Sequence, residues 1–151
     1  GIEVVLKQRL ATRSGPSTKY TELGSFFKKG VPLRALSAAY DKVNEIWWIQ
    51  VEFTAESAKR RAYTGLKRLA MKVEDVPSES LLYENVALNK DSYAYLGPGS
   101  DYKVHGEVLP NGTVGSVYAL ENGYAQFEFF DYTKNQKCRV WVGLDSLGLS
   151  D

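Results

Sequence analysis

Three blocks of sequence occur twice, in the same order, along this 151-residue chain. Gly15-Pro16-Ser17-Thr18-Lys19-Tyr20 returns 82 residues later as Gly97-Pro98-Gly99-Ser100-Asp101-Tyr102, and Gly30 returns at the same spacing as Gly112. Trp48-Ile49-Gln50-Val51-Glu52-Phe53 returns at a spacing of 76 as Tyr124-Ala125-Gln126-Phe127-Glu128-Phe129. Arg61-Ala62-Tyr63-Thr64-Gly65-Leu66-Lys67-Arg68-Leu69 returns at 78 as Arg139-Val140-Trp141-Val142-Gly143-Leu144-Asp145-Ser146-Leu147. The spacing changes only between blocks, where surface connections tolerate insertions, and that is the mark of a duplicated unit. Each copy has about 60 residues, near the lower limit for a domain that folds alone, so two very small domains are expected in place of one.

Within each copy apolar and polar residues alternate over short runs bounded by Gly, Pro, Asn and Asp, the pattern of half-buried strands. Strands are predicted near 2–12, 31–40, 46–53 and 60–64 in the first copy, and near 86–95, 113–120, 123–130 and 137–142 in the second. The fold class is therefore all-β, with domains at 1–70 and 86–151. A linker is expected at 71–85, where Pro77, acids and serines gather and Ser78 is placed to cap a short helical turn over Leu81, Leu82 and Tyr83.

The duplication also sets a register. Antiparallel partners keep a constant sum of residue numbers, so opposing Glu52 to Arg61 brings Gln50 opposite Tyr63, Val51 opposite Ala62 and Trp48 opposite Gly65. In the second copy Glu128 then opposes Arg139, Gln126 opposes Trp141, Phe127 opposes Val140 and Tyr124 opposes Gly143. Alternation puts Ile49, Val51, Phe53 and Ala62, with Ala125, Phe127, Phe129 and Val140, on the core side. The other face receives Trp48, Gln50, Glu52, Arg61 and Tyr63, and Tyr124, Gln126, Glu128, Arg139 and Trp141. Trp47 alternates onto the core side.

Charge and composition narrow the function classes. A net charge of +1 gives no electrostatic reason to expect nucleic acid as partner. The average hides a split: residues 1–75 carry 14 Lys+Arg against 8 Asp+Glu, and residues 76–151 carry 5 against 10. Either the halves complement each other, or the basic half meets a polyanion. No apolar run approaches the roughly 18 residues of a membrane helix, so direct membrane insertion is not expected. The opening Gly1 is read as a sign of processing or cloning, compatible with a leader or anchor ahead of it. Cys138 and His105 are each the sole residue of their type, which excludes an intramolecular disulfide and a zinc site of the usual ligand count. Cys138 reads as a small buried hydrophobe opposite Phe129, and nothing in the sequence brings His105 to it as a base. Glu74-Asp75 reads as solvated linker, and no paired-acid or phosphate-cradling motif is present.

Taken together the blocks resemble tandem bacterial SH3-like domains. The residues that carry this are a Gly-Pro turn followed by an aromatic (Tyr20, Tyr102), a strand led by Trp48 or Tyr124, and a closing strand that runs into Gly-Leu-x-x-Leu at Gly65 and Gly143. The resemblance implies two small, partly open SH3-like barrels in tandem, without catalytic residues, cofactor or metal. It also implies an extracytoplasmic setting, secreted or in a bacterial cell envelope, and a role in binding peptidoglycan, its peptides or a peptide of a surface protein. The alternatives are a protein-interaction or adhesion module, and an accessory part of a cell-wall hydrolase.

The expected ligand-binding residues are the duplicated set on the second face: Trp48, Gln50 and Tyr63 with Tyr20, and Tyr124, Gln126 and Trp141 with Tyr102. Rings beside polar groups suit an extended peptide or a sugar, because they offer large contact area at low entropy cost. A structural role stands beside this one. Trp48 or Trp141 would then pack beneath the preceding Gly-Pro loop, Tyr20 and Tyr102 would anchor those loops, and Glu52 with Arg61 would be a cross-strand pair.

Overall fold

The computed structural model describes residues 1–149. Among them the chain is all-β, its only helical turns being the 3-10 segments Leu66–Arg68, Val73–Asp75 and Leu144–Ser146. Strands β1 (Ile2–Val5), β2 (Leu10–Arg13), β3 (Glu22–Phe26), β4 (Pro32–Asp41), β5 (Ile46–Ala55) and β6 (Ala58–Gly65) form one sheet in the order β1-β4-β5-β6-β2-β3. Strands β7 (Tyr83–Ala87), β8 (Val114–Glu121), β9 (Tyr124–Asp131) and β10 (Gln136–Gly143) form a second, in the order β10-β9-β8-β7. Both are antiparallel and open at their edges, not closed barrels. The chain divides into two compact units, Gly1–Ser57 with Arg61–Glu79, and Ala58–Arg60 with everything from Ser80 on.

Each unit has its own core. Leu10, Ala35, Ile49, Val51 and Ala62 lie at the centre of the first, and Val117, Ala125, Phe127, Val140 and Val142 at the centre of the second. Ile49, Val51 and Ala62, and Ala125, Phe127, Val140 and Val142, are the alternating core-side residues of the two hairpins, and each large one contributes roughly 1.5–3 kcal/mol on burial. The predicted register holds in β9 and β10, where Arg139 pairs with Glu128, Val140 with Phe127, Trp141 with Gln126 and Gly143 with Tyr124. In the first unit Arg61 Nε donates to Glu52 Oε1 at 2.8 Å, the same contact that Arg139 Nε makes to Glu128 Oε1 at 2.8 Å.

The duplication is visible in the backbone as well. Gly30 N–H donates to Leu6 O at 2.7 Å and Gly112 N–H to Leu88 O at 2.8 Å, with both glycines at positive φ (95° and 91°), where an L side chain is strained. The bridge Arg13 to Tyr63 returns as Tyr95 to Trp141. A bulge skips Leu36 between β4 and β5 and skips Tyr118, 82 residues on, between β8 and β9. Such a bulge sharpens local twist and curls a strand over its own core.

Four expectations are corrected. The long strand predicted over 2–12 breaks after Val5, because Leu6, still bonded to Val31 O in line with β4, also bridges Leu69, and Lys7 donates its amide to Arg68 O. Its second-copy counterpart at 86–95 persists only as Tyr83–Ala87 plus isolated bridges at Ser92 and Tyr95. No helical turn forms over Leu81, Leu82 and Tyr83, since Leu82 N–H donates to Val117 O and draws this stretch to β8. Nor is the first half of 71–85 a linker. After the 3-10 turn at Val73–Asp75 the chain runs along β4, with Ala38 N–H bonded to Pro77 O and Glu79 N–H to Ala38 O.

Glu79 explains why that segment stays in place. Its Oε2 accepts hydrogen bonds from Ser37 Oγ (2.7 Å), from Gln50 Nε2 (3.2 Å) and from the Tyr63 hydroxyl. Replacing Glu79 with Ala leaves three donors without this acceptor, and is expected to lower the unfolding free energy of the first unit by roughly 1–3 kcal/mol. Urea denaturation followed by Trp fluorescence measures this.

Candidate ligand-binding site

The second face of each hairpin is covered, which decides where the expected site residues lie. Trp48, Gln50, Tyr63 and Tyr20 are buried in the first unit, with Tyr63 only 1% exposed. Gln126, Trp141 and Tyr102 are buried in the second, with Trp141 at 3%, while Tyr124 is half-buried. The segment ahead of each Gly-Pro turn joins the edge of the hairpin, as in Tyr95 N–H to Trp141 O (3.0 Å) and Trp141 N–H to Tyr95 O (2.8 Å), and the turn that follows is folded back on its own tyrosine. The first glycine of each turn lets the loop close, since a Cβ on Gly15 would overlap the ring of Tyr20 and a Cβ on Gly97 that of Tyr102. These tyrosines therefore anchor their loops, and the duplicated face is largely a second layer of core.

What remains open in the first unit is a cleft of about 560 Å³ at the edge of that cover. Thr12 and Arg13 of β2, Ile46, Trp47 and Trp48 of β5, and Leu66 and Lys67 of the following 3-10 turn line it. Trp47 is half-buried, packed against the core and 5.0 Å from the Tyr40 ring. Trp48 is buried, and its indole Nε1 donor has no hydrogen-bond acceptor. The lining arginines are committed to the scaffold, Arg13 to the carbonyls of Thr18 (3.2 Å) and Tyr20 (3.1 Å) and Arg68 to that of Arg9 (2.6 Å). Lys67 is exposed at the mouth, with Glu22 and Glu45 also on the rim. Of the sequence-expected residues, Trp48 alone lines this cleft.

The corresponding surface of the second unit has different chemistry. Tyr93, Tyr95 and Tyr124 occupy the positions of Ala11, Arg13 and Trp48, with ring centroids 6.5 Å and 6.0 Å apart in sequence. Asp145 replaces Lys67, and its hydrogen bond and ion pair with Lys90 (2.6 Å) hold its carboxyl below the usual range. Elsewhere in this unit His105 and Cys138 line one and the same cleft, a proximity the sequence did not signal. Burial pushes the His105 imidazole below its ordinary value of 6.5, with Lys134 and Lys103 adding to the shift and Asp131 opposing it. No cluster of three or more metal-ligating side chains exists among the described residues, and no helix is long and apolar enough to cross a membrane.

Comparison of the chain with protein-family models, with curated proteins and with solved structures finds no match to any of them.

Two expectations follow from the burial. Trp48→Ala and Trp141→Ala each empty an aromatic site inside a unit and should lower its stability by about 3–5 kcal/mol, measured by chemical denaturation. For His105 the folded value lies below the unfolded one, so unfolded chains take up the proton first as pH falls. Stability present above pH 6.5 is then lost as pH drops through the folded value. The imidazole NMR titration of this single histidine should show the depressed value, and His105→Gln should remove that part of the stability profile.

Proposed function

We propose that this chain is a non-catalytic recognition module of the bacterial SH3-like kind, belonging to a surface or secreted protein, and that its first unit binds the peptide of cell-wall peptidoglycan in the Trp47–Trp48 cleft. The observation that carries this reading is the indole N–H of Trp48. It is a buried donor left without an acceptor in a residue that lines an open cleft, and an unmet buried donor costs about 1–3 kcal/mol. An extended peptide brings a carbonyl every residue, so a small local adjustment around the ring lets one of them complete this donor. Trp47 and Leu66 supply the apolar wall against which such a strand lies, and Lys67 at the mouth suits a free carboxylate of the kind that wall peptides carry. The excess of basic residues in the first half works in the same direction at a polyanionic wall.

Protein interaction is the second reading, favoured by the acidic second half with its exposed Tyr93 and Tyr132. Co-sedimentation with purified wall sacculi separates the two. Retention is expected for the intact chain, with at least about fivefold weaker retention, roughly 1 kcal/mol, for Lys67→Glu and for Trp47→Ala. Unfolding measured alongside shows whether each variant is folded. Retention unchanged in folded variants, or no retention of the intact chain, would overturn the wall-binding reading.

A further inference from the structure

In the first unit one end of the core is closed by aromatic rings. The Phe26 ring lies 5.2 Å from that of Phe53 and the Phe27 ring 5.9 Å from it, both packed against the core. At the spacing of 82 the segment Leu23-Gly24-Ser25-Phe26-Phe27 becomes His105-Gly106-Glu107-Val108-Leu109. The backbones correspond as far as the glycine, for Gly24 and Gly106 both have positive φ (105° and 71°) and the pairing of Arg13 with Glu22 returns as Tyr95 with Val104. Beyond it the register moves by one, Leu10 pairing with Phe26 but Ser92 with Leu109, and Phe27 has a positive φ (57°) that Leu109 does not share. The receiving ring is kept, since Phe53 returns as Phe129, and the small thiol of Cys138 stands where the first copy has Arg60.

Two rings have thus become Val and Leu while the ring they packed on remains. At that place the second unit has a cleft of about 740 Å³, lined among others by His105, Leu109, Phe129 and Cys138, a size typical of ligand sites. Its rim carries Phe130 and Tyr132, centroids 4.7 Å apart, and Tyr132 is 87% exposed. Asp131 Oδ1 accepts the amides of Thr133 (3.0 Å) and Lys134 (3.2 Å), so the hairpin tip that presents Tyr132 is braced by its own turn.

We propose that this cleft is a second binding site, which takes an aromatic side chain presented by a partner polypeptide, the incoming ring resting on Phe129 as Phe26 rests on Phe53. The first copy shows what fills this space when the chain supplies it itself. A polypeptide is favoured over a free small molecule because the cleft's own lining includes Val108, Val114, Phe130 and Tyr132, all exposed, and one ring covers only its centre. Aromatic anchors in a central pocket with an apolar surround are the usual form of such contacts. This site lies in the second unit and does not depend on the Trp47–Trp48 cleft.

The test is an NMR titration of the whole isotope-labelled chain with N-acetyl-phenylalanine methylamide, and with N-acetyl-leucine methylamide as the non-aromatic probe. Saturable amide shifts at Leu109, Phe129 and Cys138 are expected with the first probe, and at least fivefold weaker response with the second. A Val108→Phe, Leu109→Phe double variant restores the rings of the first copy and should lose the response at least tenfold. If that variant does not fold, Tyr132→Ser at the exposed rim should weaken the response at least threefold. No shift at the cleft up to the solubility limit, an equal response to the leucine probe, a full response in the folded double variant, or none of the expected weakening in Tyr132→Ser would each overturn the proposal.

Discussion

A β-hairpin in a unit of this size must be covered on both faces, and most of each unit follows from that requirement. Each unit has about 75 residues, little above the size of about 60 at which only around 60% of the surface an unfolded chain exposes is buried. A sheet with one face in water would leave too little apolar area to offset the entropy of ordering the chain. In the first unit the inner face of β5 and β6 takes Ile49, Val51 and Ala62 into the core, while the outer face takes a loop. That second face carries polar atoms, which must find partners once water is displaced. Glu79 meets much of that need by accepting from Ser37, Gln50 and Tyr63 together, and the ion pairs Glu52–Arg61 and Glu128–Arg139 absorb the charges that would otherwise be stranded.

This requirement also separates what was legible in the sequence from what was not. The strands of the two duplicated hairpins and their register could be read because both depend on a local period of two, and two copies with different loops had to satisfy one pairing. Burial of the second face could not be read, because alternation says only that Trp48 and Ile49 point opposite ways. Whether the far side meets water or a folded-back loop is decided by contacts distant in sequence. Gly15 and Gly97 were the available signal, each sitting where a side chain would collide with the tyrosine five residues on. The role of Glu79 was hidden for a similar reason. It lies in a Pro- and Ser-containing stretch that reads as linker, and its three donors come from residues 16 to 42 positions earlier.

Trp47 and Lys67 were missed as cleft residues because a cleft forms where cover stops, and no periodicity marks that edge. The pairing of His105 with Cys138 in one lining was missed for a related reason. His105 lies in the connection between β7 and β8 and Cys138 inside β10, and only the folded chain brings both into one lining. Alignment of the copies nevertheless contained the clue, since replacing Phe26 and Phe27 by Val108 and Leu109 removes ring volume while the receiving Phe129 stays.

Part of the divergence between the copies falls at places where the shared scaffold does not need a particular residue. Main-chain bonds around Gly30 and Gly112, the bulges at Leu36 and Tyr118, and the Arg–Glu contacts recur with nearly the same distances. Lys67 against Asp145, Ala11 against Tyr93 and Phe26 against Val108 differ in charge or bulk. A folding constraint shared by both copies accounts for the first group, because losing any of them exposes unpaired polar atoms or strains a glycine turn. It does not account for the second, where each change leaves the scaffold hydrogen bonds in place and alters only what a surface offers. In the first copy that surface is a cleft beside Trp47 and Trp48 whose rim carries Lys67, Glu22 and Glu45. In the second it is a tyrosine ladder and a cleft whose filling rings have been withdrawn. At these positions one frame presents two different surface chemistries.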